Sequence, residues 1–408
     1  MRRESPHPAV YLVLIVPFGA LGGYLTVALA YTLSEAGMSS LRVGALIGLF
    51  LVPQTWKFLW APIVDTTLTR KGWYAIGASL SALGVLAMGA QSSDAGHFFL
   101  FEAVVLLSSL ASTFLGMSVE SLTTYTSGAR KGQAGGWLQA GNLGGNGLGG
   151  GAALWLSQHV AAPWVTGAAL GATFLLCCIA LLFIAEPVGS AEPPGMHRRE
   201  GIARKLLEVV RDLWGVLRTR GGYLALLLVF LPLSTSAATN LFSAVAGDWR
   251  ASAQVVALTN GALGGVVAAV GCLAGGYWCD RFDRKSVYIA YGVLQALCAI
   301  AMALGPRTEV AYAVFTMLYW FVSGLTYAAF SAVTLEAIGL GAAATKYNVF
   351  ASLSNMPLAY MTVVEGWAHG RWGAGGILYV EAAVAVASMF AFGGAAALSA
   401  KRAVPALT

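Results

Sequence analysis

Two stretches of this chain end a long apolar run with an aspartate and follow it with a basic turn. Asp65 precedes Arg70 and Lys71, and 215 positions later Asp280 precedes Arg281, Arg284 and Lys285. A carboxylate in the last turn of an apolar helix can pair with a cation or with the free amides of another helix N-terminus. That is ionic pairing, or simply charge placed by topology, rather than bond-making chemistry. Two further acid and base sets repeat in the same way: Glu120 with Arg130 and Lys131 after it, and Glu336 with Lys346 ten residues on. Inside apolar runs stand Lys57, Glu102, Glu365 and Glu381. A carboxyl in apolar surroundings can load and release a proton, so the three glutamates are candidates for proton coupling. Two readings fit Lys57: a structural cation snorkelling to the headgroups, or a contact for substrate or counter-ion.

Other chemistries lack their residues. The five cysteines lie in or beside apolar segments with no CxxC pair and no histidine at ligand spacing, which predicts buried thiols and no metal site. No clustered nucleophile and base points to an enzyme, and no P-loop points to direct use of ATP, so no cofactor is expected.

The elements that position these residues follow from composition. With 58% hydrophobic and 10% charged residues and a mean hydropathy of +0.72, the chain could not cover a water-facing surface. A lipid bilayer is its expected solvent, and 50 glycines suit close helix packing within one. Runs long enough to cross predict helices at 9–33, 42–64, 73–92, 97–118, 134–158 and 164–185, then at 222–246, 253–278, 286–304, 309–332, 344–366 and 376–399. The first is too long for a signal peptide and reads as a retained helix. This is an all-α membrane protein of two six-helix halves, residues 1–185 and 222–408. They are joined by a linker, 186–221, whose apolar positions from Ile202 to Leu217 repeat at helical spacing opposite Arg204, Lys205 and Arg211. With both termini in the cytoplasm, 19 of the 24 Lys and Arg fall on the cytoplasmic side and four outside, a positive-inside bias that sets the orientation. The net charge of +6 therefore reflects topology and predicts no nucleic-acid partner.

The segment Gly276, Asp280, Arg281, Arg284 and Lys285 resembles the signature loop between the second and third helices of each half in major facilitator superfamily transporters. The first copy resembles one branch of that superfamily. Lys57-Phe58-Leu59-Trp60-Ala61-Pro62 with Asp65 and Arg70-Lys71-Gly72-Trp73 is similar to the AmpG-like, peptide and acetyl-coenzyme A transporter group, as is the stretch from Ala344-Thr345-Lys346-Tyr347-Asn348 to Pro357. The chain departs from that branch at Gly128-Ala129-Arg130-Lys131-Gly132, where a Pro-Ala-Glu-Glu-Arg-Gly type loop is usual, and has twelve spans rather than fourteen.

The resemblance implies a monomeric secondary transporter of the bacterial inner membrane that works by alternating access. Its expected partners are a small-molecule solute and protons as the coupling ion. A muropeptide imported with protons is the leading substrate; siderophore uptake, then drug or metabolite efflux, and a transporter-shaped receptor are alternatives. In that fold helices one, four, seven and ten line the cavity, which nominates Tyr24, Glu102, Asn240, Tyr319, Ser323 and Tyr327, beside Lys57 of the second helix as a charge that could contact substrate. Gln139 and Asn142 on the fifth helix and Asn355 on the eleventh are paired walls or helix-to-helix contacts. By the same analogy Asp65 is expected against the start of the eleventh helix with Lys346, and Asp280 against the start of the fifth with Arg130 or Lys131. Glu102, Glu365 and Glu381 all fall toward outer helix ends on these spans, where a solvated rim position fits as well as proton transfer.

Overall fold

A computed structural model describes residues 7–35, 40–90, 98–126, 128–160, 162–184, 207, 210–211, 214–215, 218–338 and 343–402. The amphipathic linker expected over 186–221 lies mostly outside them. The described chain is almost wholly helical. Eight stretches are long and apolar enough to cross a membrane, and one of these, Ala343–Ala397, is double. Two shorter apolar helices, Ala45–Leu59 and Gly221–Phe230, belong to broken spans.

The first six spans are α1 (Ala9–Gly23, a π-helical stretch Tyr24–Leu29, then Ala30–Glu35), α2 (Ser40–Trp56, a 3-10 turn Lys57–Leu59, then Ala61–Thr66), α3 (Arg70–Ala90), α4 (Phe98–Thr123), α5 (Lys131–His159) and α6 (Pro163–Cys177, then 3-10 Cys178–Phe183). After the linker come α7 (Arg220–Phe230, then the short turns Ala237–Asn240, Phe242–Val245 and Ala246–Trp249), α8 (Ala253–Asn260 and Ala262–Cys279), α9 (Arg284–Leu304) and α10 (Glu309–Ile338). Helices α11 and α12 share the run Ala343–Arg402, which bends at Gly373, where φ is +65°. Only glycine takes that backbone conformation without strain.

Three interruptions have local causes. In α2, Pro62 stands near the start of the Ala61–Thr66 segment, and its ring excludes a regular turn before it, so Lys57–Leu59 tightens to 3-10. In α7, expected as one helix over 222–246, Pro232 forces Leu231 out of the helical region to φ −72° and ψ 140°. Ser236 then adopts the left-handed conformation, φ 57° and ψ 25°, before the chain turns helical again. In α8 the break falls at Gly261.

Helix α5 has low hydropathy because its glycines face other helices rather than lipid. It packs between α1 and α8. A Cβ on Gly132 would lie 2.6 Å from the carbonyl of Gly276, and one on Gly147 would lie 2.8 Å from Cα of Gly265. At 1.5 Å per residue this seam between the two sets of six helices runs about 22 Å. One core cluster, including Leu21, Phe50 and Phe174, draws only on the first six helices; another, including Phe242, Tyr312 and Leu378, only on the last six.

Candidate functional site

Asp65 and Asp280 sit at one face of the bundle, each across the boundary between halves and each against the start of a long helix. Asp65 accepts hydrogen bonds from the amides of Ala344 at 3.2 Å and Thr345 at 2.8 Å, and from the Thr345 hydroxyl at 2.8 Å. Asp280 accepts from the amides of Gly132 at 2.6 Å and Gln133 at 2.8 Å. The first amides of a helix have no partner within it and carry the positive end of its dipole, so an anion there satisfies both. Both carboxylates are withdrawn from solvent, their side chains 2% and 7% exposed.

A cation from its own half stands beside each aspartate. Arg70 Nη2 lies 3.9 Å from Asp65, and Arg70 is held by the Ser121 hydroxyl and the Tyr125 ring. Arg284 Nη2 lies 3.5 Å from Asp280, one helical turn on, while its Nη1 reaches Glu336 Oε2 at 3.0 Å. Lys131 turns elsewhere, donating to the carbonyl of Leu335 at 2.6 Å. Lys346 is buried, Lys71 and Lys285 are half-buried, and Arg130 and Arg281 are exposed, the last stacked on Tyr277. In the same loop Asp283 caps α9 by accepting from Ser286, and that hydrogen bond holds its carboxyl below the usual carboxylate range.

Deeper in the first half, Lys57 does not snorkel. Its Nζ donates to Glu120 Oε1 at 2.8 Å, both residues are buried, and the Phe18 ring lies 5.6 Å from the cation. Glu120 keeps Oε2 without a hydrogen-bond partner. Nearby on the inter-half boundary Gln139 donates to Ser331 at 2.8 Å, Ser331 bonds the Tyr347 hydroxyl at 2.8 Å, and Asn142 donates to Gln139 at 3.3 Å. Ser331 and Tyr347 were missed by sequence reasoning, since a lone serine and tyrosine carry no signal beyond helical phase.

The cavity residues nominated by the resemblance do not converge on one wall. A cleft with about 450 Å³ of empty space, including its open mouth, lies within the second half. Leu231, Ser234 and Thr235 from the α7 break line it, with Tyr288, Tyr327 and Asn355 from α9, α10 and α11. Tyr24 instead packs in the core of the first half, Glu102 is half-buried in the second turn of α4, and Asn240 is exposed and donates to Thr362 at 3.0 Å.

The glutamates correct the rim expectation. Glu365 is 0% and Glu381 4% exposed, because α11 and α12 continue to the bend at Gly373 and leave each carboxyl eight residues from it. Two helical turns of bilayer depth separate them from the helix ends. Tyr319 is within interaction range of both glutamates and of Gln295, and Ser323, one turn on, donates to Ser236 at 2.8 Å.

A family model described as Major Facilitator Superfamily matches residues 11–359. Among curated proteins none matches this sequence. Solved structures share the fold at low identity. FucP in its outward conformation is 16% identical, with 95% of this chain and 98% of that chain covered and a TM-score of 0.70. The human organic anion transporter MFSD10 is 17% identical over 94% and 98%, with a TM-score of 0.68. The proton:xylose symporter XylE, bound to 6-bromo-6-deoxy-D-glucose, is 14% identical over 93% and 94%, with a TM-score of 0.64.

Proposed function

The chain belongs to the Major Facilitator Superfamily of transporters, and from that premise we propose that it is a proton-coupled importer of a sizeable polar solute, of the AmpG-like type. The observation that carries the transport cycle is the pair of carboxylates, Asp65 and Asp280, each set on the first amides of a helix of the other half. Such contacts hold one face shut and, once released, let the halves rock about the α5 and α8 seam, so that a site between them opens alternately to either side. The Asp65, Asp280, Arg70 and Arg284 set is the latch of the cytoplasmic face.

The cleft, which lies within the second half, is that half's contribution to such a site, and it favours a solute with ring faces and hydroxyls. Tyr288 and Tyr327 offer aromatic faces, and Ser234, Thr235 and Asn355 offer donors and acceptors, the mixture that packs a sugar ring and bonds its rim. A muropeptide meets that description, and a siderophore is the second reading, favoured by the twelve-span length. XylE and the E. coli protein FucP are described as proton symporters, which supports protons as the coupling ion here. The protein is proposed to act as a monomer in a bacterial inner membrane with both termini in the cytoplasm.

Uptake into proteoliposomes under an imposed pH gradient tests the reading, after a thermal-shift screen of anhydromuropeptides, iron siderophores and coenzyme A esters selects the ligand. Accumulation that collapses with a protonophore is expected. A ligand that binds and is never accumulated would make the protein a receptor.

A further inference from the structure

The second half holds a buried cluster of oxygen atoms that lacks the positive charge to balance it. All four carboxylate oxygens of Glu365 and Glu381 are buried without a hydrogen-bond partner, and so are Tyr319 Oη and Gln295 Oε1. The four side chains come from α9, α10, α11 and α12, and Tyr319 is within interaction range of Glu381, Glu365 and Gln295. Glu381 also faces the amides of Ala237 and Ala238 without making a hydrogen bond of normal geometry to either. The other titratable group facing Glu381 is Cys298 of α9. No Lys, Arg or His forms an ion pair with either glutamate among the described residues. Two carboxylates at close quarters in apolar surroundings repel each other and are strongly desolvated, so a cation must join them.

We propose that Glu365 and Glu381, with Tyr319 and Gln295, form a monovalent cation site, occupied by a proton shared between the carboxyls or by Na⁺, that is separate from the solute cleft and coupled to it through the break in α7. The break supplies the connection. Leu231, Ser234 and Thr235 line the cleft, whereas the next residues reach the cluster. Ser236 accepts from Gln295 at 2.7 Å and from Ser323 at 2.8 Å, and Ala237 and Ala238 face Glu381. Ser236 holds a left-handed conformation uncommon for serine, and its hydroxyl is tied to the cluster through Gln295 and to α10 through Ser323. Loading or losing the cation changes the charge facing these amides and so biases the segment that shapes the cleft. Discontinuous helices whose unwound backbone meets ion and substrate are a general device for such coupling.

The inference rests on the transporter reading for its purpose, but its test needs neither transport nor a known solute. The purified full chain is melted in sodium or choline chloride at equal ionic strength, across acid to alkaline buffers, as wild type, E365Q, E381Q and the double variant. Binding that favours the native state raises Tm by about 1–2 °C for each tenfold excess over Kd in a chain of this length. A proton site gives a wild-type Tm that rises on acidification and does not depend on sodium. A Na⁺ site gives a sodium-dependent rise at alkaline pH. In either case the response shrinks by at least half in E365Q and E381Q. Glutamine copies the neutral carboxyl, so these variants should fold; where one does not, difference infrared spectroscopy of the wild type reads the carboxyl stretch directly. A wild type that answers neither ion, variants that keep the full response, or an infrared band unchanged by pH and sodium would overturn the site.

Discussion

Asp280 crosses from α8 to the start of α5 and accepts the amide of Gly132 at 2.6 Å, in a space that admits no Cβ at that glycine because the Gly276 carbonyl stands 2.6 Å away. Asp65 makes the equivalent contact at the start of α11. A charge-assisted hydrogen bond to a helix N-terminus contributes about 1.5–3 kcal/mol, so the two together can set which face is closed. Replacing both aspartates with asparagine is expected to open this face. Spin labels at Leu68 and Phe282, both exposed there, should move from one short distance to a broad or longer distribution in D65N/D280N. An unchanged distribution would remove the latch from the mechanism.

Lys57 and Glu120 predict a thermodynamic signature. Removing one member of a buried pair leaves the other charged without a partner, at a cost of about 3–5 kcal/mol, whereas removing both can be nearly neutral. K57M and E120Q should therefore each lower Tm clearly, and K57M/E120Q should be more stable than either. If the single losses simply add in the double variant, the ion pair is not what holds this site. Uptake by the double variant then separates packing from a part in transport: a stable protein with no uptake means that one of these charges touches the solute or follows the cycle.

The aspartates were legible because charges are scarce at helix ends, so an acid followed by a basic turn stands out against an apolar background and its repetition marks two related halves. Their cations were less so. Arg70 and Arg284 lie within a turn or so of each aspartate in space, and sequence spacing alone cannot rank such neighbours against Lys346 or Lys131. Most spans are legible in hydropathy, but glycine-rich α5 is not apolar enough to count among them and α2 and α7 are broken into shorter apolar pieces, the α7 break being signalled by Pro232. The depth of Glu365 and Glu381 was misread for a specific reason: Gly366, His369, Gly370 and Arg371 look like a loop, yet they continue α11, and only Gly373 turns. Lys57 read as an isolated cation because its partner lies 63 residues away, a distance that pattern reasoning does not cross.

Asp283 gives the basic loop a pH signature. Hydrogen bonding from Ser286 depresses its carboxyl in the folded protein, so its contribution is present above the unfolded value, near pH 3.9, and is lost as pH falls through the lower folded value. D283A should lower stability at neutral pH by about 1 kcal/mol, the ordinary worth of an N-cap. It should also make wild type and variant converge in strong acid. A constant difference in Tm from neutral to acid pH would mean that the cap acts without its charge.

The glycine seam predicts where bulk is intolerable. Gly147 meets Gly265 with 2.8 Å available to a Cβ, and both neighbours are backbone, which cannot rotate aside as a side chain can. Inserting a methyl group there should cost about 1–3 kcal/mol through overpacking. At Gly393 and Gly394, in α12, an added Cβ would meet nothing within 4 Å, so alanine at either is the matched control. G147A and G265A should lower Tm and slow exchange between faces, while G393A and G394A gain helix propensity and leave both unchanged or improved. If G147A matches the controls in both measurements, α5 and α8 are not the axis about which the halves move.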